Sequence, residues 1–328
     1  MSILPKIIQR ARWSLMQASF GLGIEGNWLK ERPGLRILIY HGVVPAPVRR
    51  INARFVSTEQ LDAHLRFIRK RCQVISVEQA FANDYDPKRL AVAVTFDDGY
   101  RNNLLHALPI LQKHRIPATF FVTAARAAGQ DILWADLLDV ASANLDAPVT
   151  IAGNQFHKDR KGEYVDAQGQ RLKNICKTQG KIFVDAMRAA FAQVGFREDS
   201  RWDDYWKLLD ANELRSLSQA DDIAIGGHGA LHHNLDRMAL PEALADVEMG
   251  IRWIEAAIGR PMHFFAFPDG GYSPELVAAV AQLGLTRLLL TEFRFGDHGD
   301  PRVRERFTVH PFLPTKVLMA EMYKGHYF

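Results

Sequence analysis

Cysteine is almost absent: Cys72 and Cys176 are the only two in 328 residues. They stand far apart and form no CxxC pair, which excludes a disulfide framework and a thiolate metal site and leaves them as reduced thiols. Long apolar runs are missing as well, since no segment reaches the roughly 18 apolar residues of a spanning helix. There is no strong charge imbalance, because 41 Lys and Arg face 37 Asp and Glu for a net charge of +4. Spread along the chain with few dense basic runs, that excess carries no nucleic-acid signature and only a weak pull toward acidic glycans or anionic lipid. No repeat or low-complexity tract interrupts the chain. What is present, 48% hydrophobic and 24% charged residues, is globular composition at a length that suits one large α/β domain.

Residues 1–33 read as an amphipathic extension, in which Lys6, Arg10 and Arg12 alternate with Ile7, Ile8, Trp13, Leu15, Met16 and Phe20. The stretch lacks the uninterrupted apolar core and the small-residue cleavage site of a secretory signal. The expected location is therefore cytoplasmic, or peripheral at the inner face of the membrane. For residues 3–20 two roles stay open, docking on the protein's own body and contact with a membrane surface.

The main domain is expected over 34–328. LRILIYHGVV (35–44), LAVAVTF (90–96), ATFFVTA (118–124), IAIGG (223–227) and HFFAF (263–267) are apolar runs that read as buried strands. Between them, Ser57-Thr58-Glu59 opens a capped helix with Leu61, Leu65 and Ile68 at helical spacing, and further helical patterns follow at 104–114, 210–219, 241–259 and 274–284. Strand–helix alternation implies parallel packing in a barrel-like or doubly wound α/β fold, with reactive groups at the carboxyl ends of strands. Periodicity weakens from about 134 to 205, which reads as an insertion with helical ends and a polar hairpin.

The polar residues at the strand ends carry chemistry. Asp97 and Asp98 end LAVAVTF; adjacent strand-end aspartates point in different directions, so one can coordinate a metal while the other reaches a water. An Asp-Asp-Gly sequence is also a common polar turn. His228-Gly229-Ala230-Leu231-His232-His233 follows IAIGG, and a spacing of four puts His228 and His232 on one face if the segment makes a helical turn. Two imidazoles and a carboxylate leave coordination positions open for water and substrate. A histidine-rich surface loop would show the same residues.

TFDDGY, HGALHHNL and FAFPDGGYS, in that order, resemble the NodB-type polysaccharide deacetylases, carbohydrate esterase family four, over roughly residues 35–310. IYHGV and LWADLLD resemble the branch of exopolysaccharide assembly. The resemblance implies an incomplete, distorted (β/α)7 barrel and removal of an N-acyl group from a sugar of a glycan or glycan precursor. It implies a divalent metal, zinc in the first place with cobalt or nickel as alternatives, held by Asp98, His228 and His232. It makes Asp97 the general base and the backbone N–H of Tyr100 an oxyanion donor. The family's late-strand histidine falls nearest to His310 in FTVHPFLP, which fits poorly. His41, at the end of the first strand, is the preferred general acid, held protonated by a nearby carboxylate. Hydrolysis of a non-sugar amide and an inactive carbohydrate-binding scaffold are the alternative functions.

Three departures from the family pattern stand out. Gly229 replaces the usual Ser or Thr after the first histidine, so a hydrogen bond that stabilises the loop is expected to be absent. Ala266-Phe267-Pro268-Asp269-Gly270 lacks the arginine that orients the base, leaving the orientation of Asp97 without a source. Asp269 reads as a partner of the site, a substrate contact or a turn residue.

Overall fold

The apolar runs become strands of one parallel sheet. A computed structural model describes residues 3–24, 26–30, 32–194 and 200–325. Met1, Ser2, Glu25 and Glu31 of the expected extension, residues 195–199 of the expected insertion and the last three residues lie outside the described residues. The barrel strands are β1 (Gly34–Tyr40), β2 (Leu90–Phe96), β3 (Ala118–Val122), β4 (Ile223–Gly227), β5 (Phe264–Ala266), β6 (Arg287–Leu290), β7 (Val303–Glu305) and β8 (Phe307–Thr308). They run in the order β7-β6-β5-β4-β3-β2-β1-β8, and Gln73–Val74 adds a short strand beside β2.

Eight strands stand where about seven were expected, because one extended segment serves two neighbours. Val303 pairs with Leu288 of β6, while Phe307 pairs with Leu38 of β1, and Arg306 alone separates the two pairings. The ring of strands is thereby nearly closed. The first strand is shorter than the apolar run suggested: β1 stops at Tyr40, and Val43–Val44 pairs separately with Val56–Ser57. His41 falls in the break.

Alternation along β2 sorts its side chains. Val92, Val94 and Phe96 pack outward with Leu61, Leu65 and Ile68 of the helix Thr58–Arg71. Ala91 and Ala93 pack with Ile37, Phe121 and Leu289 from other strands, which fills the barrel interior. By the period of two, Thr95 and Asp97 share that inward parity, so Asp97 belongs to the mouth of the barrel. The helix itself starts as its sequence predicts: Ser57 and Gln60 form a reciprocal capping box, each side chain accepting from the other's backbone N–H at 3.0 Å.

Residues 134–205 include the helix Trp134–Asn144, a three-stranded antiparallel sheet and the helices Leu172–Gln179 and Lys181–Gln193. They build a second core that includes Trp134, Phe156, Met187 and Phe191 and takes in Val44, Ile51, Phe55 and Tyr100 from the main domain. At the other end of the chain, the helix Ile3–Gly21 lies on the helix Thr315–Lys324. Met16 is buried there, Trp13 Nε1 donates to Glu321 Oε1 at 3.2 Å and Arg12 pairs with the same carboxylate. The docking reading therefore describes one face of this helix. Its other face leaves Ile8 and Leu15, and the turn just beyond it leaves Leu22, spaced by seven and 59–77% exposed. Among the described residues no helix is long and apolar enough to cross a membrane.

Candidate active site

At the end of β2 the chain turns sharply, with φ of +78° at both Asp98 and Gly99. A Cβ at Gly99 would stand 2.7 Å from Val122 Cγ1, so only glycine lets the turn press against β3. The left-handed Asp98 is a strained conformation of the kind found at functional sites. Thr123 Oγ1 donates to Asp98 O at 2.9 Å and fixes it. His228 leaves β4 at the same end of the barrel.

The two histidines converge, although no helical turn brings them together. Residues 228–234 form a loop with φ of +70° at Gly229 and +56° at His232, and the imidazole centroids lie 5.0 Å apart. Gly229 is needed for this path, since a Cβ there would meet Asp246 Oδ1 at 2.9 Å. The loop is fastened after all: the Asp246 carboxylate accepts from Ala230 N–H at 2.7 Å and Leu231 N–H at 3.2 Å. An aspartate from the helix Leu240–Ile258 thus does the work expected of a side chain at 229.

Asp98, His228 and His232 each place one ligand atom within 4.8 Å of the others, and all three are buried. His232 Nε2 lies 3.2 Å and His228 Nε2 3.5 Å from Asp98 Oδ1. That oxygen is buried and accepts no hydrogen bond among the described residues. His228 Nδ1–H donates to Ala266 O at 2.6 Å, which leaves the Nε2 lone pair facing the cluster. Burial lowers the pKa of His228, favouring the neutral ring that a ligand requires. An orphaned carboxylate oxygen between two imidazole nitrogens fits a divalent cation of the zinc class. His233, next in sequence, is buried elsewhere and stands outside this cluster.

The missing orienting arginine is supplied from the far end of the chain. Arg306, at the break between β7 and β8, donates from Nη1 to Asp97 Oδ1 at 2.7 Å and from Nη2 to Asp97 Oδ2 at 2.8 Å. Its guanidinium also bonds Thr95 Oγ1 at 3.2 Å and lies over the Phe121 ring at 5.3 Å, inside the barrel. Burial alone would raise the pKa of Asp97, but Arg306 and then His228 outweigh it and hold the carboxyl below its ordinary value. Asp97 Oδ2 faces His228 Nε2 at 3.8 Å, so the two aspartates flank one histidine.

A second arginine went unnoticed in the sequence. Arg54 donates to Asp98 Oδ2 at 2.9 Å and to the Tyr100 hydroxyl at 2.7 Å, and pairs with Asp136. Tyr100 in turn donates to Asp136 Oδ2 at 2.6 Å, and Asn52 Nδ2 donates to Oδ1 at 2.9 Å. Burial raises Asp136 to about 6 against the pull of Arg54. Asp98 stays well below the ordinary carboxyl range because Arg54 and His232 overcome burial. Trp134 Nε1 donates to His232 O at 2.9 Å. Two residues of the helix Trp134–Asn144, Trp134 and Asp136, therefore brace the site from the region read as an insertion.

The remaining residues line a cleft of about 340 Å³ shared by His41, Arg54, Asp97, His228, His232 and Arg306. His41 is half-buried there, and burial drives its imidazolium down to about 4 despite Asp98 and Asp97. The expectation that a carboxylate keeps this ring protonated is not met; it rests neutral. His310 lines the cleft too, 5.1 Å from the Phe312 ring in a stacked pair. Asp269 sits on the exposed rim of the same cleft with φ of +52°, its Oδ1 accepting from Lys177 Nζ at 2.7 Å, which ties this turn to the insertion. The Tyr100 backbone flanks Leu208 with the bonds on either side, Leu209 N–H to Gly99 O and Arg101 N–H to Lys207 O, which turns its own N–H away from that neighbour.

The family model of polysaccharide deacetylases matches residues 84–152 and 183–288. The Bacillus subtilis protein YxkH, named for polysaccharide deacetylation, is 32% identical over 101 residues, which is 29% of this chain and 34% of that one. Among solved structures, the deacetylase PplD of Streptococcus pyogenes in complex with acetate is 15% identical with a TM-score of 0.55, covering 88% of this chain and 98% of its own. IcaB from Ammonifex degensii is 17% identical with the same TM-score, covering 89% and 98%. These distant likenesses speak for the barrel. The family match takes in both strand-end clusters, Asp97-Asp98 and His228 to His232, and more than half of the sequence, and on it the chain belongs to the polysaccharide deacetylase family.

Proposed function

We propose that the protein is a metal-dependent hydrolase that removes an N-acetyl group from a sugar of a glycan or glycan precursor. The observation that carries this reading is one carboxylate, Asp97, clamped by Arg306 beside a second, Asp98, whose free oxygen faces two imidazoles. Asp98, His228 and His232 would hold the metal, which when bound supplies acidity to water and polarises the acyl carbonyl. Asp97, kept ionised by Arg306, takes a proton from the attacking water. The water oxygen adds to the acyl carbon, and the Tyr100 N–H donates to the oxyanion that forms. The C–N bond then breaks, and the nitrogen leaves as an amine after taking a proton from His41. Because His41 rests neutral, it acts as a relay, receiving the proton from Asp97 before passing it on. Acetate release across a panel of N-acetyl sugars, chito-oligomers and lipid-linked saccharides tests the reading; metal-bound protein that releases no acetate from any of them would redirect it to another amide.

The N-terminal helix supports peripheral contact with an anionic membrane surface. Its exposed line of Ile8, Leu15 and Leu22 lies in a stretch whose charged residues through position 24 are Lys6, Arg10 and Arg12. An exposed apolar line on a helix whose sequence carries cations and no acidic residue is the pairing such a surface attracts, even with Arg12 turned to Glu321.

A further inference from the structure

A second groove, of about 520 Å³, opens beside the catalytic cleft between the loop carrying Arg49 and Arg50 and the insertion. Ala53 lines both spaces, and the next residue is Arg54, which holds Asp98. The two are therefore continuous along one loop. Five cations line the groove, Arg49, Arg50, Lys161, Arg171 and Lys173, against the carboxylates of Asp139 and Glu163. Both carboxylates are already engaged: Lys173 Nζ meets Asp139 at 2.6 Å and Arg171 Nε meets Glu163 at 2.6 Å. Among the described residues that line it, no third carboxylate answers Arg49, Arg50 or Lys161.

In a chain whose overall charge is nearly balanced, Arg49 and Arg50, answered by no carboxylate of the lining, together with Lys161, which shares its charge with Asp159 outside the lining, are a local field facing one cavity. It suits a ligand bearing more than one negative charge. Paired arginines, with their forked donors, match phosphoryl oxygens better than a single carboxylate. We infer that this groove holds the phosphate or diphosphate of a saccharide whose N-acetyl group lies in the catalytic cleft, so that the substrate is a phosphate-linked sugar and not a neutral polymer. The inference rests on the deacetylase reading for the sugar's orientation. The groove's preference for phosphate can be measured without turnover.

The test is equilibrium binding to the full chain carrying Asp97→Asn, which prevents consumption of the ligand. Four probes are compared: N-acetylglucosamine, its 1-phosphate, and the same sugar on a nucleoside diphosphate and on a short isoprenyl diphosphate. The 1-phosphate is expected to bind about tenfold or more tightly than the free sugar, with an advantage that shrinks as salt rises. Adding Arg49→Ala, Arg50→Ala and Lys161→Ala together should remove that advantage and leave the free sugar's affinity unchanged; the first two side chains are exposed, so the fold is kept. Tighter binding of one diphosphate than of the other identifies the carrier, and equal binding means the phosphates alone are read. Equal affinity for sugar and sugar phosphate, a phosphate advantage that survives in the triple variant, or binding of none of the four overturns the inference. Acetate release by the wild type separately judges the reaction, so the two can fail independently.

Discussion

Arg306→Ala is the most revealing single change. The guanidinium and the Asp97 carboxylate are both nearly inaccessible, with side-chain exposures of 1% and 5%, and are joined by two bonds of 2.7 and 2.8 Å. With charge centres roughly 4 Å apart and an effective dielectric near 20, their attraction is about 4 kcal/mol. Removing the cation leaves a buried carboxylate without its partner, which costs roughly 3–5 kcal/mol of stability. The carboxyl then answers to burial, which raises its pKa. A base must be ionised to act, so the acid limb of kcat/KM against pH should move to higher pH, and turnover at neutral pH should fall by about 10²-fold or more. Arg306→Lys, keeping charge but losing the two-pronged grip, should fall between. In an Asp97→Asn background, Arg306→Ala should add little further loss, because the two act as a unit. Turnover within about threefold of wild type with an unmoved acid limb would refute the clamp.

For the proton relay, His41→Ala is expected to lower kcat by about 10²-fold or more with metal content unchanged, while His310→Ala, which disturbs a stacked pair with Phe312, is mild; the reverse ranking returns the acid to the C-terminal strand. On the helix Thr58–Arg71, His64 is buried with its Nδ1 3.2 Å from the Tyr40 hydroxyl; burial drives it down to about 4, so its stabilising contribution is whole above its ordinary 6.5 and is lost as pH falls through 4, an effect of about 3 kcal/mol. Denaturant titrations should show a shallower acid slope for His64→Gln than for wild type, and parallel curves would dismiss this source. Sedimentation with vesicles rich in phosphatidylserine should recover the wild type, and Leu15→Glu with Leu22→Glu should abolish recovery without changing the thermal midpoint, since both side chains are exposed.

The barrel is legible in the sequence because buried parallel strands must be near-continuous apolar runs, as LAVAVTF is, and because their polar ends stand out. The cluster of Asp98, His228 and His232 is legible by type and spacing. Their path is not: the four-residue spacing suggested a helical turn, yet a loop with two left-handed residues delivers the same convergence. Arg306 is hidden for a topological reason. It sits in RVRERF, a run whose alternating charges read as solvated surface, and 209 positions from Asp97; only closure of the barrel by β8 against β1 brings it inside. Arg54 and Asp136 are likewise 82 positions apart. Long-range pairs of opposite charge leave no local pattern, so each looks like an ordinary surface ion until the fold is known.

The central claim, a metal held by three residues beside a base that does not hold it, is tested most directly by measuring bound metal and acetate release together in wild type, Asp97→Asn and His232→Ala. The account predicts metal and turnover in the wild type, metal with turnover nearly abolished in Asp97→Asn, and neither in His232→Ala. Full metal content in His232→Ala, or turnover near wild type in Asp97→Asn, would contradict it.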